Sequence, residues 1–123
     1  MAKQIRYGVV GLGHIAQVAV LPAFKQAQKN SILTALVTDD PKKASKLSKQ
    51  YKVPAVYNYD QFDELLKSDV VDALYICLPN HMHTEYSVRA LKAGVHVLCE
   101  KPLALSVKDC QKIADAAEAS GAY

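Results

Sequence analysis

The sequence feature that most constrains this chain is a turn with two glycines, Gly11–Ala16 (GLGHIA), which joins an apolar run to a helical pattern. The apolar run covers residues 5–10 and predicts a strand. Gly11 can form the tight turn, Gly13 lets backbone approach a ligand closely, and Ala16 is small enough for helix and strand to pack together. Such a turn can hold the pyrophosphate of a dinucleotide at a helix N-terminus, but it also occurs as an ordinary strand-to-helix connection. The turn alone does not distinguish these two functions.

Strands and helical segments alternate along the rest of the chain. Further strands are predicted at residues 32–37, 56–57, 71–77 and 95–99, with helices between them and a last helix after Ser106. Five such units with short connections predict an α/β fold, a doubly wound parallel sheet of the Rossmann type with strand order 3-2-1-4-5 and helices on both faces. We expect this dinucleotide-binding domain to span residues 1–123, with the last strand and a C-terminal substrate domain absent from the chain.

Local patterns predict where some of the helices begin and which residues face inward. The first helix is predicted over residues 13–28, with a kink or break at Pro22. Asp40 is the expected N-cap of the next helix, residues 60–63 resemble a capping box for the helix after it, and Ser106 with Asp109 is expected to cap the last helix. The inward positions of the first helix are expected to include Ile15, Val18, Ala19 and Phe24.

Composition excludes several classes of function. The net charge is only +3, and no basic stripe is interleaved with aromatic residues, which argues against a nucleic-acid partner. No apolar run approaches the roughly 20 residues of a membrane span, and a strand starting at residue 5 leaves no room for a signal peptide. The cysteines lack metal-ligand spacing and lie in apolar segments, so we expect buried reduced thiols, no metal site and a cytoplasmic protein. The three cysteines are Cys77, Cys99 and Cys110.

Polar residues follow the strands that flank the predicted switch point of the sheet. In doubly wound sheets the ligand binds at the carboxyl ends of those strands. The glycine turn, Thr38–Asp40, Leu78–His83 (LPNHMH) and Glu100–Pro102 (EKP) are expected to meet there. Loops have no structural need for so many polar groups in these positions, so we interpret this edge as a binding site.

The glycine turn, Leu78–His83 and above all Glu100–Pro102 resemble the glucose-fructose oxidoreductase family, also called Gfo/Idh/MocA, over nearly the whole chain. Val56–Tyr59 and Ala93–Val97 are similar to its glucose-fructose oxidoreductase branch. The resemblance implies the N-terminal nucleotide-binding domain of an enzyme that uses a nicotinamide dinucleotide and transfers hydride at a sugar or polyol carbon. It also implies a mostly antiparallel C-terminal domain that completes the substrate site.

Lys101 is the catalytic residue that the resemblance implies, in contact with the reacting hydroxyl and the nicotinamide ribose. Its ammonium would stabilise charge on a carbonyl or alkoxide oxygen and could take part in a proton relay. The alternative is a solvated loop lysine. Glu100 is expected to hold that ammonium or to line the nicotinamide pocket, unless it is a structural carboxylate. Many members of the family have a cis peptide bond before the matching proline, so the resemblance implies a cis bond between Lys101 and Pro102.

The loop after the fourth strand supplies further candidate contacts. By resemblance Asn80 lies near the cofactor ribose, although it could simply cap the helix. His83 is expected to face the nicotinamide or the substrate, or else to be structural. Tyr75 and Tyr86 are interpreted as packing aromatics. The remaining residues expected to contact the cofactor at the glycine turn and in the two loops are Gly11, Gly13, His14, Ile15, Leu78, Pro79 and Pro102.

The end of the second strand bears on the choice between NADP and NAD. An NAD enzyme usually has a carboxylate there that binds the ribose hydroxyls and repels a 2′-phosphate. By resemblance Thr38 occupies that position. Asp40 serves as an N-cap, which leaves Asp39 as a possible ribose ligand.

Lysines follow in the first turn of the next helix, where the helix dipole disfavours cations. A bound 2′-phosphate would supply the missing negative charge near Lys42 and Lys43. By resemblance Lys43 and Thr38 match residues of NADP-binding relatives, and Tyr57 matches a tyrosine near the adenosine. We therefore expect NADP, with NAD as the second choice. An exposed basic helix face is the alternative explanation of the lysines.

Together these features predict the nucleotide-binding domain of an oxidoreductase that transfers hydride between NADP(H) and a sugar-like or other small alcohol or carbonyl substrate. One alternative is a non-catalytic NAD(P)-binding regulatory or redox-sensor module, and another is a domain that binds a different nucleotide or none. We expect the parent protein to be a homo-oligomer whose partners are a small-molecule substrate and its own C-terminal domain. The chain alone is expected to bind cofactor weakly and to be inactive.

Overall fold

The computed structural model describes residues 3–123 and contains one five-stranded sheet. Its strands are β1 (Ile5–Val10), β2 (Ser31–Val37), β3 (Ala55–Tyr57), β4 (Ala73–Ile76) and β5 (His96–Cys99). The α-helices are α1 (Leu21–Phe24), α2 (Pro41–Tyr51), α3 (Phe62–Lys67), α4 (His83–Lys92) and α5 (Val107–Ser120). Short π or 3-10 turns precede α1, α3 and α4.

All the strand pairs are parallel, and the strand order is β3-β2-β1-β4-β5. This confirms the predicted doubly wound sheet. At the carboxyl end, Val10 of β1 pairs with Val37 of β2 on one side and with Ile76 of β4 on the other. The switch point therefore lies between β1 and β4, because the chain leaves β1 toward one edge of the sheet and later returns to the other side.

Side-chain alternation along the strands divides the core between the two faces of the sheet. Val9 belongs to the cluster under the first helix and α2, whereas Val10 belongs to the cluster under α3 and α4. A smaller cluster around Leu91 and Ile113 joins α4 to α5. Helices therefore cover both faces, as the alternation of elements predicts.

The first helix differs from its predicted form. Its π turn spans Ala16–Val20, where the N–H of Leu21 donates to the carbonyl of Ala16, five residues back, and α1 ends at Phe24 instead of near residue 28. The π turn changes the angular phase of the helix, so Ala16, Val20 and Leu21 are buried. Ile15, Val18 and Ala19, which were expected to face inward, are exposed, the first two by 42% and 57%, whereas Phe24 is half-buried.

Two of the three predicted helix caps are confirmed. The Asp40 carboxylate accepts the N–H of Lys42 at 2.9 Å, and the Ser106 hydroxyl accepts the N–H of Asp109 at 3.1 Å. The predicted capping box at residues 60–63 is wrong. Asn58 and Gln61 form the box instead, because a 3-10 turn precedes α3 and moves the cap upstream.

Charged side chains fix β1 against β4 at the amino end of the sheet. Arg6 donates to both carboxylate oxygens of Asp72, from Nη2 at 2.8 Å and from Nε at 3.1 Å. The backbone N–H of Arg6 also donates to this carboxylate, at 2.8 Å. These hydrogen bonds lower the pKa of Asp72 to about 2.

Glycine is required in the middle of the same strand pair. A Cβ on Gly8 would lie 2.8 Å from Cδ2 of Leu74, a side chain that is fully buried. The side chain of Leu74 thus fills the space that a side chain at position 8 would need, and glycine leaves this space free.

In residues 3–123, no helix combines the length and the apolar character needed to cross a bilayer.

The Asp72→Asn variant tests the ion pair between β1 and β4. We expect the free energy of unfolding at pH 7 to fall by about 1–2 kcal/mol, because a charge-assisted, partly buried pair is lost. The carboxylate takes up its proton near pH 4 in the unfolded chain and near pH 2 in the folded protein, so the difference should shrink as the pH falls through this window. Urea unfolding measured across that range provides the check.

Asp69→Asn is the matched control, since Asp69 pairs with the same arginine but its side chain is 92% exposed. Its effect should be much smaller. A loss in Asp72→Asn that is the same at pH 2 and pH 7 would contradict the assignment.

Candidate functional site

The four polar segments meet at one edge of the sheet because each is bonded to the end of a neighbouring strand. In three of the loops a backbone N–H donates to the carbonyl at the end of the neighbouring strand. The pairs, donor first, are Gly11 and Val37 at 3.0 Å, Cys77 and Val10 at 2.8 Å, and Glu100 and Ile76 at 3.0 Å. Thr38 donates in the same way to the carbonyl of Tyr57, at 3.0 Å. The predicted meeting of these segments is therefore present in the structure.

The two glycines of the turn differ in what constrains them. Gly11 has a φ of +90°, and a Cβ there would lie 3.0 Å from the carbonyl oxygen of Cys77. A Cβ on Gly13 would meet no described atom within 4 Å. Gly11 is thus required by the chain itself, whereas the space beside Gly13 is open to a ligand.

The exposed part of the turn consists of Gly13, His14 and Ile15, between the buried Leu12 and Ala16. The first N–H groups of a helix have no partner within that helix, and they favour an anion. An open glycine, exposed N–H groups and the positive end of the helix dipole fit a dinucleotide pyrophosphate.

The carboxylates after β2 are both engaged by backbone. Oδ1 of Asp39 accepts the N–H of Tyr59 at 2.9 Å, and Asp40 caps α2. The hydroxyl of Thr38 accepts the N–H of Asp40 at 3.2 Å, and the residue as a whole is 9% exposed. Asp40 is thus engaged as an N-cap. Asp39 is exposed and its Oδ2 has no hydrogen-bond partner within residues 3–123, so it stays a possible ribose ligand.

Two lysines follow Thr38 in the first turn of α2. Lys42 and Lys43 are exposed, and neither forms an ion pair within residues 3–123. Tyr57 ends β3 next to Thr38, and its side chain packs partly buried against the core.

In the segment after β4, Asn80 is exposed and His83 is buried. Pro79 and Asn80 are exposed, whereas Leu78 is buried. Pro79 occupies the N-cap position of the 3-10 turn, and the Asn80 side chain has no hydrogen-bond partner in the described part of the chain. The alternative that Asn80 merely caps a helix is therefore wrong, and its amide is available to a ligand.

His83 is buried within the fold, which fits the structural alternative and not the expectation that it faces the nicotinamide or the substrate. Only 1% of the residue is exposed, and its ring contacts two backbone carbonyls. Nδ1 lies 2.7 Å from the oxygen of Pro102 and Nε2 lies 2.8 Å from that of Leu78. Both nitrogens are thus occupied within the fold.

In the loop after β5, Lys101 is exposed to solvent, and the carboxylate of the preceding Glu100 is bonded to a side chain of β4. The Lys101–Pro102 bond is cis, as the resemblance implies. Oε1 of Glu100 accepts the phenol O–H of Tyr75 at 2.7 Å, and within residues 3–123 Glu100 forms no ion pair with Lys101. The expectation that Glu100 holds the ammonium is replaced by this contact with Tyr75.

Sequence reasoning missed the role of Tyr75. Burial, and then the hydrogen bond to Glu100, raise the pKa of Tyr75 to about 12. A pocket of about 270 Å³ lies beside this pair, between the first helix and the sheet, with Phe24 and Leu98 in its lining. A tyrosine inside a central strand is a weak signal of a polar partner, and the sequence does not show which partner it has.

The cysteines are all free, with Cys77 buried and Cys99 and Cys110 half-buried. Burial raises the pKa of Cys77 to about 12, so this thiol stays protonated. Across residues 3–123 no group of three or more His, Cys, Asp or Glu side chains could hold a metal ion.

Comparison with known proteins places this geometry in a family. Residues 5–123 match the sequence model of an oxidoreductase family with an NAD-binding Rossmann fold. The aldose-aldose oxidoreductase of Caulobacter crescentus is 36% identical, with a TM-score of 0.91 over 97% of this chain and 36% of that one. A 3-ketoreductase from Actinomadura kijaniata, solved with TDP-benzene and NADP, is 34% identical, with a TM-score of 0.87 over 97% of this chain and 35% of that one.

A relative from Haloferax volcanii, D-xylose 1-dehydrogenase (NADP(+)) 2, is 32% identical over 94% of this chain and 34% of its own length. Fold and site together define a nicotinamide-dinucleotide-binding domain of the Rossmann type. The chain belongs to the Gfo/Idh/MocA family of oxidoreductases. It spans about a third of the length of the relatives it matches.

Substitution of the two glycines by alanine separates folding from binding. Gly13→Ala should leave the melting temperature nearly unchanged and weaken dinucleotide binding about tenfold or more, because its Cβ enters space that the chain does not use. Gly11→Ala should lower the free energy of unfolding by about 1–3 kcal/mol, because of its positive φ and the Cys77 carbonyl. Thermal unfolding and calorimetric titration with NADPH measure the two effects. Equal loss of stability in both variants would contradict this division.

Proposed function

We propose that the protein is an oxidoreductase that transfers hydride between NADP(H) and a sugar-like or other small alcohol or carbonyl substrate. The observation that carries the proposal is the exposed Lys101, placed directly after β5 at the same sheet edge as Gly13 and Asn80. The named activities of the relatives, on aldoses, xylose and a keto sugar nucleotide, support the substrate class.

In the proposed reaction the cofactor supplies or accepts the hydride. The turn at Gly11–Ile15 binds the pyrophosphate, and the amide of Asn80 binds the ribose. The ammonium of Lys101 stabilises negative charge on the substrate oxygen and passes a proton to or from it, together with an acid/base group of the substrate domain. Glu100, fixed by Tyr75, lines the nicotinamide side of the site.

The preference for NADP is supported by the charges at the end of β2. Asp39 and Asp40 both bind backbone N–H groups, and Lys43 has no ion-pair partner among residues 3–123. A 2′-phosphate would lie near Thr38 and Lys43, with Tyr57 toward the adenosine. NAD is the second candidate.

We further propose that residues 1–123 form the dinucleotide-binding domain of a cytoplasmic homo-oligomer. A separate substrate domain would complete the active site. Catalysis, and with it the choice between an enzyme and a regulatory NAD(P)-binding module, is therefore tested on the protein that carries both domains.

The Lys101→Ala variant tests the catalytic role. We expect kcat to fall by about 10²- to 10⁴-fold, with a much smaller change in the dissociation constant of the dinucleotide. Steady-state kinetics and fluorescence titration measure the two quantities. Lys108→Ala removes an exposed lysine of α5 and should leave both unchanged. An undiminished kcat in Lys101→Ala would overturn the proposed catalysis and favour the regulatory module.

Reversal of the charge at Lys43 tests the cofactor preference. Lys43→Glu should weaken NADPH binding about 10- to 100-fold and leave NADH binding nearly unchanged, because only NADPH carries the 2′-phosphate. Lys49→Glu, an equal charge change at the far end of α2, should affect both cofactors little. Equal affinities of the wild type for the two cofactors, with no response to Lys43→Glu, would rule out the preference.

A further inference from the structure

His83, the first residue of α4, contacts both loops that carry the proposed cofactor and catalytic side chains. Its Nε2 lies 2.8 Å from the carbonyl oxygen of Leu78, two residues before Asn80. Its Nδ1 lies 2.7 Å from the carbonyl oxygen of Pro102, the residue after Lys101. One buried ring therefore spans the gap between the two loops.

The segment from Lys101 to Leu105 has few other attachments. The backbone hydrogen bonds between this part of the chain and β4 end at Glu100, whose N–H donates to the carbonyl of Ile76. Within residues 3–123, the hydrogen bonds made by residues 101–105 are those of the Pro102 carbonyl with His83 and of the Leu103 carbonyl with the Cys99 thiol, at 4.0 Å. Leu103 and Leu105 are exposed, and the apolar contact of this segment is that of the small Ala104 with the cluster between α4 and α5.

Bridging these two loops requires a side chain that can place a nitrogen donor at each of two positions. Both partners are carbonyl oxygens, which only accept hydrogen bonds. A neutral imidazole donates to one of them, and a ring protonated at both nitrogens donates to both. Because the residue is only 1% exposed, water cannot readily take the place of the ring.

We propose that His83 is a positioning residue, which sets the distance between the Asn80 loop and Lys101 and thereby aligns the ammonium with the bound nicotinamide. This role rests on the proposed function, since it matters for catalysis only if Lys101 acts on a substrate held beside the cofactor. Misplacement of a catalytic group by about 1 Å can lower a rate about 100-fold.

Two conservative variants separate the two contacts. The amide nitrogen of asparagine can replace Nδ1, and that of glutamine, one methylene longer, can replace Nε2. His83→Asn should keep the bond to Pro102, holding kcat within about threefold of the wild type while the dinucleotide dissociation constant rises about fivefold or more. His83→Gln should keep the bond to Leu78, with binding within about threefold and kcat at least about tenfold lower.

Ser87→Ala is the matched control, one turn later on the same helix. Ser87 is fully buried, and its hydroxyl lies beside the Cys99 thiol without a bond to the Leu78 or Pro102 carbonyl, so its removal should change neither kcat nor binding. Thermal unfolding of every variant is recorded alongside. If His83→Asn and His83→Gln reduce kcat and affinity equally, the role is merely structural and the proposal is overturned.

Relaxation of the backbone nitrogen nuclei at residues 101 and 103–105 measures the attachment without turnover. His83→Leu should lower the order parameters of these residues clearly below those in Ser87→Ala, because the loop loses its nitrogen donor. Unchanged order parameters would overturn the proposal, whatever the kinetics. A wild-type protein that shows no hydride transfer, while His83→Leu still loosens the loop, would instead overturn the proposed function and leave His83 as a loop clamp without a catalytic purpose.

Discussion

The pairing of β1 with β4 is the constraint on which the rest of the molecule depends. It is fixed at three levels, by Arg6 and Asp72 at the amino end, by the close approach of Gly8 and Leu74 in the middle, and by Gly11 against the Cys77 carbonyl at the carboxyl end. Since the two strands are distant in sequence, each contact restricts the register that the others need. With this register set, the glycine turn opens directly beside the loop that presents Asn80.

The candidate site follows from that register and from short backbone bonds that continue each strand into its loop. No single element supplies the site, because the turn after β1, the end of β2 and the loops after β4 and β5 each contribute one part. The parts that face solvent, Gly13, Lys43, Asn80 and Lys101, have few commitments within the chain. The neighbouring polar side chains, Asp39, Asp40, His83 and Glu100, are all bonded inside it. This division separates residues that can bind a ligand from residues that shape the place where it binds.

Sequence reasoning recovered the features that follow from the alternation of elements, from local capping patterns or from the family resemblance. The strand order, the Asp40 and Ser106 caps and the cis bond before Pro102 were predicted from patterns or from resemblance, and the structure has them. It failed where an outcome depends on distances between remote segments. The ring of His83 reaches Pro102, and the phenol of Tyr75 reaches Glu100, only because α4 and β4 lie beside the loop after β5. The π turn before α1 likewise changed which residues face the core, since a period of 3.6 residues no longer applies there.

The carboxylates after β2 have a consequence for redesign and for evolutionary change. Asp40 holds the start of α2, and Asp39 holds the backbone at Tyr59 with one carboxylate oxygen and exposes the other. Under the proposed preference for NADP, an acidic side chain at position 38 would change the charge met by the ribose, and the present hydroxyl there accepts the Asp40 N–H. An aspartate would retain an acceptor for that bond, so this position can change its charge without losing its contact to the start of α2.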